Sequence, residues 1–152
     1  MRGIRVGSAF GIPIRLDLTF LLVLPLFAYL IGSSVAEQVD LLNTALGASF
    51  SVEELTAGST EWLLGTVAAV GLFLGVLLHE FGHSLVAMRY GYDIESITLW
   101  LFGGVARFTE IPEDWKQELL IAVAGPAVSV VLGALSYVGF LALPDASGAA
   151  VA

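Results

Sequence analysis

The sequence has no cysteine, a single lysine (Lys116) and only two histidines, His79 and His83. Without cysteine there is no disulfide framework, no Cys-ligated zinc and no thiol nucleophile, and the redox compartment cannot be read. A metal would have to be held by His, Asp or Glu. Charge is also scarce: charged residues make up 13% of the chain and apolar residues 57%, whereas roughly a quarter of a soluble domain is charged. The bilayer is therefore the first solvent to consider. The net charge is −8, which argues against a nucleic-acid partner, because neutralising phosphates needs a surplus of Lys and Arg. Fourteen acidic residues beside one lysine resemble the bias of proteins from high-salt cytoplasms. Nothing in the length of 152 residues asks for a second domain.

Between Asp17 and Glu37 lie nineteen residues without a charge, close to the ~20 needed to cross a bilayer as a helix. A second apolar run extends from Trp62 to Met88, interrupted only by His79, Glu80 and His83, and a third from Leu119 to Pro144. The first run has a rival reading as a cleaved signal peptide ending at Ser34-Val35-Ala36, but it exceeds the ~7–15-residue core of such a signal. Arg2, Arg5 and Arg15 precede the first run, and Arg89, Arg107 and Lys116 lie between the second and third. The loop from Ser33 to Glu61 has no basic residue and carries Glu37, Asp40, Glu53, Glu54 and Glu61. Since Lys and Arg are retained in short cytoplasmic segments, the N-terminus is predicted to be cytoplasmic and loop 33–61 outside the cell membrane.

The eleven uncharged residues from Ser96 to Ala106 are too few for a helical span. Ile97, Leu99 and Leu101 alternate with Thr98, Trp100 and Phe102, Gly103-Gly104 suits a tight turn, and Val105–Phe108 can return. The pattern predicts a hairpin at or dipping into the membrane, where such backbone must be surrounded by protein or a water-filled cavity. The fold class is read as an all-α polytopic membrane protein of three transmembrane helices, with a short β-hairpin between the second and third.

Both histidines fall in His79-Glu80-Phe81-Gly82-His83. On a helix, positions i and i+4 share a face, so both imidazoles can reach one ion. Glu80, about 100° round from His79, stands beside such an ion and can take a proton from water that zinc has acidified. On a soluble helix this pentad could be a chance surface pattern. In an apolar span an ionisable residue costs about 2.5–3.5 kcal/mol and marks function by default. His79 lies ten residues from Arg89, about 15 Å along a helix and near the middle of a ~30 Å hydrocarbon core. A proton path or ion site in a transporter is the other reading of such buried groups. Gly75 and Gly82 flank His79 and would let a helix or a substrate approach. In the third run, Pro126 removes a donor and disturbs the carbonyl of Ala122, and Gly125, Ser129 and Gly133 form a four-residue stripe read as helix packing.

With HEFGH in a membrane span, then Phe102-Gly103-Gly104-Val105-Ala106, then Ala124-Gly125-Pro126-Ala127-Val128-Ser129, the sequence resembles the site-2 protease family of intramembrane metalloproteases. Gly11-Ile12-Pro13-Ile14 is similar to the opening of archaeal and bacterial members. The resemblance implies Zn2+ bound through His79 and His83, with Glu80 as the general base that activates water to cut a peptide bond in or near a transmembrane segment. It implies membrane-tethered regulatory proteins as substrates, with Gly103, Gly104 and Ser129 as substrate-side positions. Many members carry Asn where this chain has Ser129.

The family takes its third ligand from an Asp-Gly motif on a later helix, and Asp17, Asp93 and Asp145 lie at span ends or in flanking segments. Residues 1–152 are accordingly expected to be a single membrane-embedded protease core truncated before that helix, a chain whose site a second chain completes, or an inactive relative. A noncatalytic membrane protein that binds metal or a partner helix is the alternative from another class.

Overall fold

A computed structural model describes residues 3–110, 112 and 114–143. The elements run β1 (Ile4–Ala9), β2 (Ile12–Leu16), α1 (Leu18–Ser33), α2 (Val35–Leu46), α3 (Val52–Thr56), α4 (Thr60–Arg89), β3 (Ile94–Trp100), β4 (Gly103–Phe108) and α5 (Trp115–Leu141). The chain is mostly helical, as expected, but the single hairpin foreseen is half of a four-stranded sheet in the order β1-β2-β3-β4. The all-α reading is corrected to that extent. By contacts the chain divides into two compact units, Met1–Val23 with Gly71–Leu132 and Leu24–Val70 with Gly133–Ala152.

In the first unit the sheet is built from two antiparallel hairpins joined by parallel pairing of β2 with β3. The N-terminal hairpin turns at Phe10-Gly11, both with positive φ (54° and 81°), as a two-residue turn matched to strand twist requires. Phe10 accepts this conformation while its ring packs edge-on to Phe81 at 5.4 Å. The second hairpin turns at Leu101-Phe102. Gly103 and Gly104, expected to form the turn, instead begin β4, and Gly103 pairs with Trp100 at a φ of 126°.

Ile12, Ile97 and Phe81 form the buried core beneath the sheet, with Ala9, Ile14, Leu77, Ile94 and Ala106 around them. Burying such a side chain contributes about 1.5–3 kcal/mol. The sheet is thereby clamped to the turn of α4 that carries the histidines. Asp17 ends β2 and starts α1: its amide donates to the Leu99 carbonyl (2.8 Å), and its carboxylate accepts from the amide and hydroxyl of Thr19 (3.0 and 2.8 Å). Those bonds hold the Asp17 carboxyl below the usual carboxylate range.

In the second unit, glycines let helices meet closely. A Cβ on Gly65 would strike the Ala28 carbonyl oxygen and stand 2.6 Å from the Gly32 amide nitrogen, so α1 and α4 touch there backbone to backbone. Tyr29 stacks on Trp62 at 5.5 Å. The amphipathic α2 ends at Gly47 in a left-handed cap, and Asn43 ties it to the following loop through both the amide and the carbonyl of Phe50 (3.0 and 2.9 Å).

The helix lengths revise the expected spans. Among the described residues, α4 and α5 are each long and apolar enough to cross a membrane. The run from Asp17 to Glu37 is not one straight helix: α1 has 16 residues, and α2 departs from it by 54°. It counts as a third span only if the bent pair is taken as one. The bend has a local cause, since the Ser34 hydroxyl donates back to the carbonyls of Leu30 and Ile31 (both 3.0 Å). Pro144, the expected end of the third span, lies outside the described residues.

Candidate active site

The site is built where α4, α5 and β4 of the first unit meet. His79 and His83 leave α4 one turn apart, and their Nε2 atoms stand 3.0 Å from each other. Each Nδ1 is held by α5. That of His83 donates to the Ile121 carbonyl (2.7 Å), and that of His79 lies 2.9 Å from the Ser129 hydroxyl oxygen. A carbonyl can only accept, so His83 carries its proton on Nδ1 and turns a lone pair outward at Nε2. The same choice at His79, with Nδ1–H given to Ser129, directs a second lone pair into the same gap.

Two lone pairs converging in this way repel unless a cation lies between them. Two nitrogens held about 2.0–2.1 Å from a tetrahedral zinc are separated by about 3.3 Å, close to the spacing found. Outer bonds from ligating imidazoles to a carbonyl or other acceptor are the usual means of fixing tautomer and ring orientation. The residues present therefore fit zinc as two of its ligands. Among the described residues no third His, Cys, Asp or Glu joins them; Asp145 lies outside those residues.

Gly125 makes the gap. A Cβ there would collide with Nε2 of His83 and come within 2.7 Å of Nε2 of His79. Gly82 sets the distance between helices, because its Cβ would meet the Ala124 carbonyl oxygen at 2.7 Å. Gly75 and Gly133 have open space instead. The stripe of Gly125, Ser129 and Gly133, read from sequence as packing, thus divides: its first two members touch the histidines. The carbonyl that serves His83 belongs to Ile121, one residue before the Ala122 carbonyl that Pro126 was expected to free.

Glu80 points to the sheet side. Its Cγ would lie 2.5 Å from a Cβ on Gly104, so only a glycine there leaves room for the carboxylate, and the Ala106 amide faces it. His79, Glu80, Gly103, Gly104 and Ser129 line one open cavity of about 460 Å³, with Gly75, Val76 and Phe102 among its other walls. Every site residue read from the sequence except His83 lines that cavity, and His83 adjoins it through His79. The anchoring Ile121 and the space-making Gly125 carried no chemical signature in the sequence. Ser129→Ala is expected to lower zinc affinity about 10–100-fold, with Ser129→Thr recovering most of it; competition with a chelator measures both. Unchanged affinity in the alanine variant would rule out the hydroxyl as the group orienting His79.

Residues 67–148 match the sequence profile of peptidase family M50, which is more than half of the chain. The chain belongs to peptidase family M50. This M50 chain is 38% identical over 130 residues to a zinc metalloprotease of Methanocaldococcus jannaschii, covering 86% of the chain and 30% of that relative. It is 40% identical over 129 residues to a Synechocystis sp. protein provisionally named a zinc metalloprotease, covering 85% of the chain and 30% of the relative. The solved structure of a site-2 protease from M. jannaschii superposes with a TM-score of 0.55 at 34% identity, over 88% of this chain and 49% of that one. The resemblance read from HEFGH, FGGVA and AGPAVS is thus borne out. The M50 chain spans under a third of the length of the curated relatives it matches.

Proposed function

We propose that this chain is the metal-binding part of an intramembrane metalloendopeptidase that hydrolyses peptide bonds in or near the transmembrane segments of membrane-tethered proteins. The observation that carries the reading is the pair of facing Nε2 atoms, 3.0 Å apart and each backed by a bond to α5. His79 and His83 would hold zinc, with a third ligand from outside the described residues, either on this polypeptide or on another chain. Bound zinc supplies Lewis acidity, acidifying water and polarising a carbonyl oxygen.

Glu80 takes the proton of the attacking water and returns it to the leaving amine, the general acid–base role for which a carboxylate beside the ion is suited. The walls formed by Gly103 and Gly104 admit a backbone without side-chain interference. β4 is an edge strand, so its unpaired side can hydrogen-bond to a substrate segment drawn into extended form. A helical substrate hides its carbonyls in its own bonds, and pairing with β4 would expose the one to be attacked.

The bent pair α1–α2 is taken as the first of three spans, with the N-terminus cytoplasmic and loop 33–61 outside the cell membrane; the separation of basic from acidic residues supports this. One vesicle experiment tests both parts. The protein with any further sequence it has is expected to cleave a membrane-tethered reporter, to lose cleavage on chelation and to regain it with zinc, while a tag in loop 33–61 is labelled only from outside. A zinc-replete preparation that leaves the reporter intact would sink the catalytic reading, and labelling only from the cytoplasmic side would overturn the topology.

A further inference from the structure

The turn at the tip of the second hairpin carries a backbone donor that its own strands cannot satisfy. Trp100 pairs with Gly103, so Leu101 and Phe102 lie outside the ladder, and the Leu101 amide needs an acceptor from elsewhere. Within a membrane no water is at hand to supply one. The acceptor comes from α1, 82 positions earlier in the chain: the Leu101 amide donates to the Thr19 hydroxyl oxygen at 3.2 Å.

The parallel pairing of β2 with β3 delivers Thr19 to that place. Leu16 lies beside Leu99, the Asp17 amide extends the pairing by donating to the Leu99 carbonyl at 2.8 Å, and the first turn of α1 then reaches the tip. Asp17 also orients the hydroxyl. A carboxylate only accepts, so Thr19 gives its proton to Asp17 at 2.8 Å and turns a lone pair to Leu101. Phe102, Gly103 and Gly104 follow Leu101 directly, and all three line the cavity with His79 and Glu80. Phe102 is 78% exposed and its ring meets Trp100 edge-on at 5.0 Å, so packing alone holds the tip weakly.

We propose that Thr19 is a positioning residue for substrate: its hydroxyl holds the β3–β4 turn so that Phe102 and the first residues of β4 stand where an extended segment docks. This role rests on the peptidase reading of the cavity. Thr19 does not itself line that cavity, so it acts on binding and not on the metal or the proton transfer. With the strap released the turn samples other conformations, and a substrate that needs the strapped one binds more weakly in proportion to the fraction that remains. A change confined to binding raises KM and leaves kcat.

Thr19→Val tests this, because valine keeps the side-chain shape and the amide bond to Asp17 while removing the hydroxyl. It is expected to speed deuterium exchange in segment 100–104 and to raise KM for the membrane-tethered reporter about three- to tenfold, the scale of one hydrogen bond, with kcat and zinc content as in the parent. Thr19→Ser keeps the hydroxyl and should restore both readings; Thr19→Ala takes the place of the valine variant if that one does not fold. Thr109→Val is the control, since it removes a hydroxyl bond to the Asp93 carbonyl (3.1 Å) at the open end of the same hairpin, and it should leave KM unchanged. Exchange equal to the parent, a fall in kcat with KM unchanged, or an equal rise of KM in Thr109→Val would each overturn the role. A zinc-replete parent that leaves the reporter intact ends the peptidase reading and this role with it, whereas cleavage by the parent and equally by Thr19→Val ends the role alone.

Discussion

Glu80→Gln is expected to retain zinc and to lower reporter cleavage by about 10²–10⁴-fold, the usual scale for losing a positioned proton-transfer group. Glutamine has the shape of glutamate, so it fits the space that Gly104 leaves beside the Glu80 Cγ. It cannot accept a proton at neutral pH. Metal retention should persist because the two imidazoles are oriented from α5, through Ile121 and Ser129, and not by Glu80. Zinc content per protein and cleavage rate are measured on the same preparation. Cleavage equal to the parent would eliminate Glu80 as the base. Parallel loss of zinc and cleavage would make Glu80 a ligand.

Gly125→Ala should have the opposite signature, with zinc lost first and activity as a consequence. The added methyl falls against Nε2 of His83 and within 2.7 Å of Nε2 of His79, in the space between them. Neither side can readily retreat. α5 is held against α4 at Gly82, where a Cβ would already meet the Ala124 carbonyl oxygen at 2.7 Å, and each imidazole would have to give up its Nδ1 bond to swing away. Loss of an outer bond alone costs about 10–100-fold in metal affinity, and filling the ion's space should exceed the upper end of that range. Gly133→Ala, on the same stripe but facing open space, is the matched control and should bind zinc as the parent does. Equal affinity in the two variants would show that the gap between the histidines is not where the metal sits.

The pentad was legible because two histidines and a glutamate at helical spacing in an apolar run admit few explanations. Its supports were not. Ile121 acts through a backbone carbonyl, which every residue has, and Gly125 acts through the absence of a side chain, so neither announces a role. Ser129 could be singled out but not assigned, since its partner lies 50 positions earlier on another helix.

The N-terminal hairpin was missed for a local reason. Its turn uses Phe10 in a left-handed conformation in place of the usual Asn or Asp, although Ile12 and Ile14 alternating with Pro13 and Arg15 were a strand signal that could have been read. The displaced turn of the second hairpin has a similar cause. A Gly-Gly pair invites a turn, but here one glycine is needed beside Glu80, which tertiary contact decides and local preference does not. Apolar length likewise located the first membrane run without revealing the angle that Ser34 introduces into it.

The parallel bond between β2 and β3 joins residue 14 to residue 97, and so fixes an order of assembly during synthesis. The first hairpin emerges early with one edge unsatisfied, and its neighbour arrives only after α1 to α4 have been made. Pairings so distant in sequence are slow to form, and an open edge is exposed to wrong partners meanwhile. The helix bearing His79, Glu80 and His83 is complete before Gly104 reaches Glu80 and before Ile121 and Ser129 reach the histidines. The arrangement around the two histidines is therefore completed late, and a nascent chain carries the motif well before it carries the site.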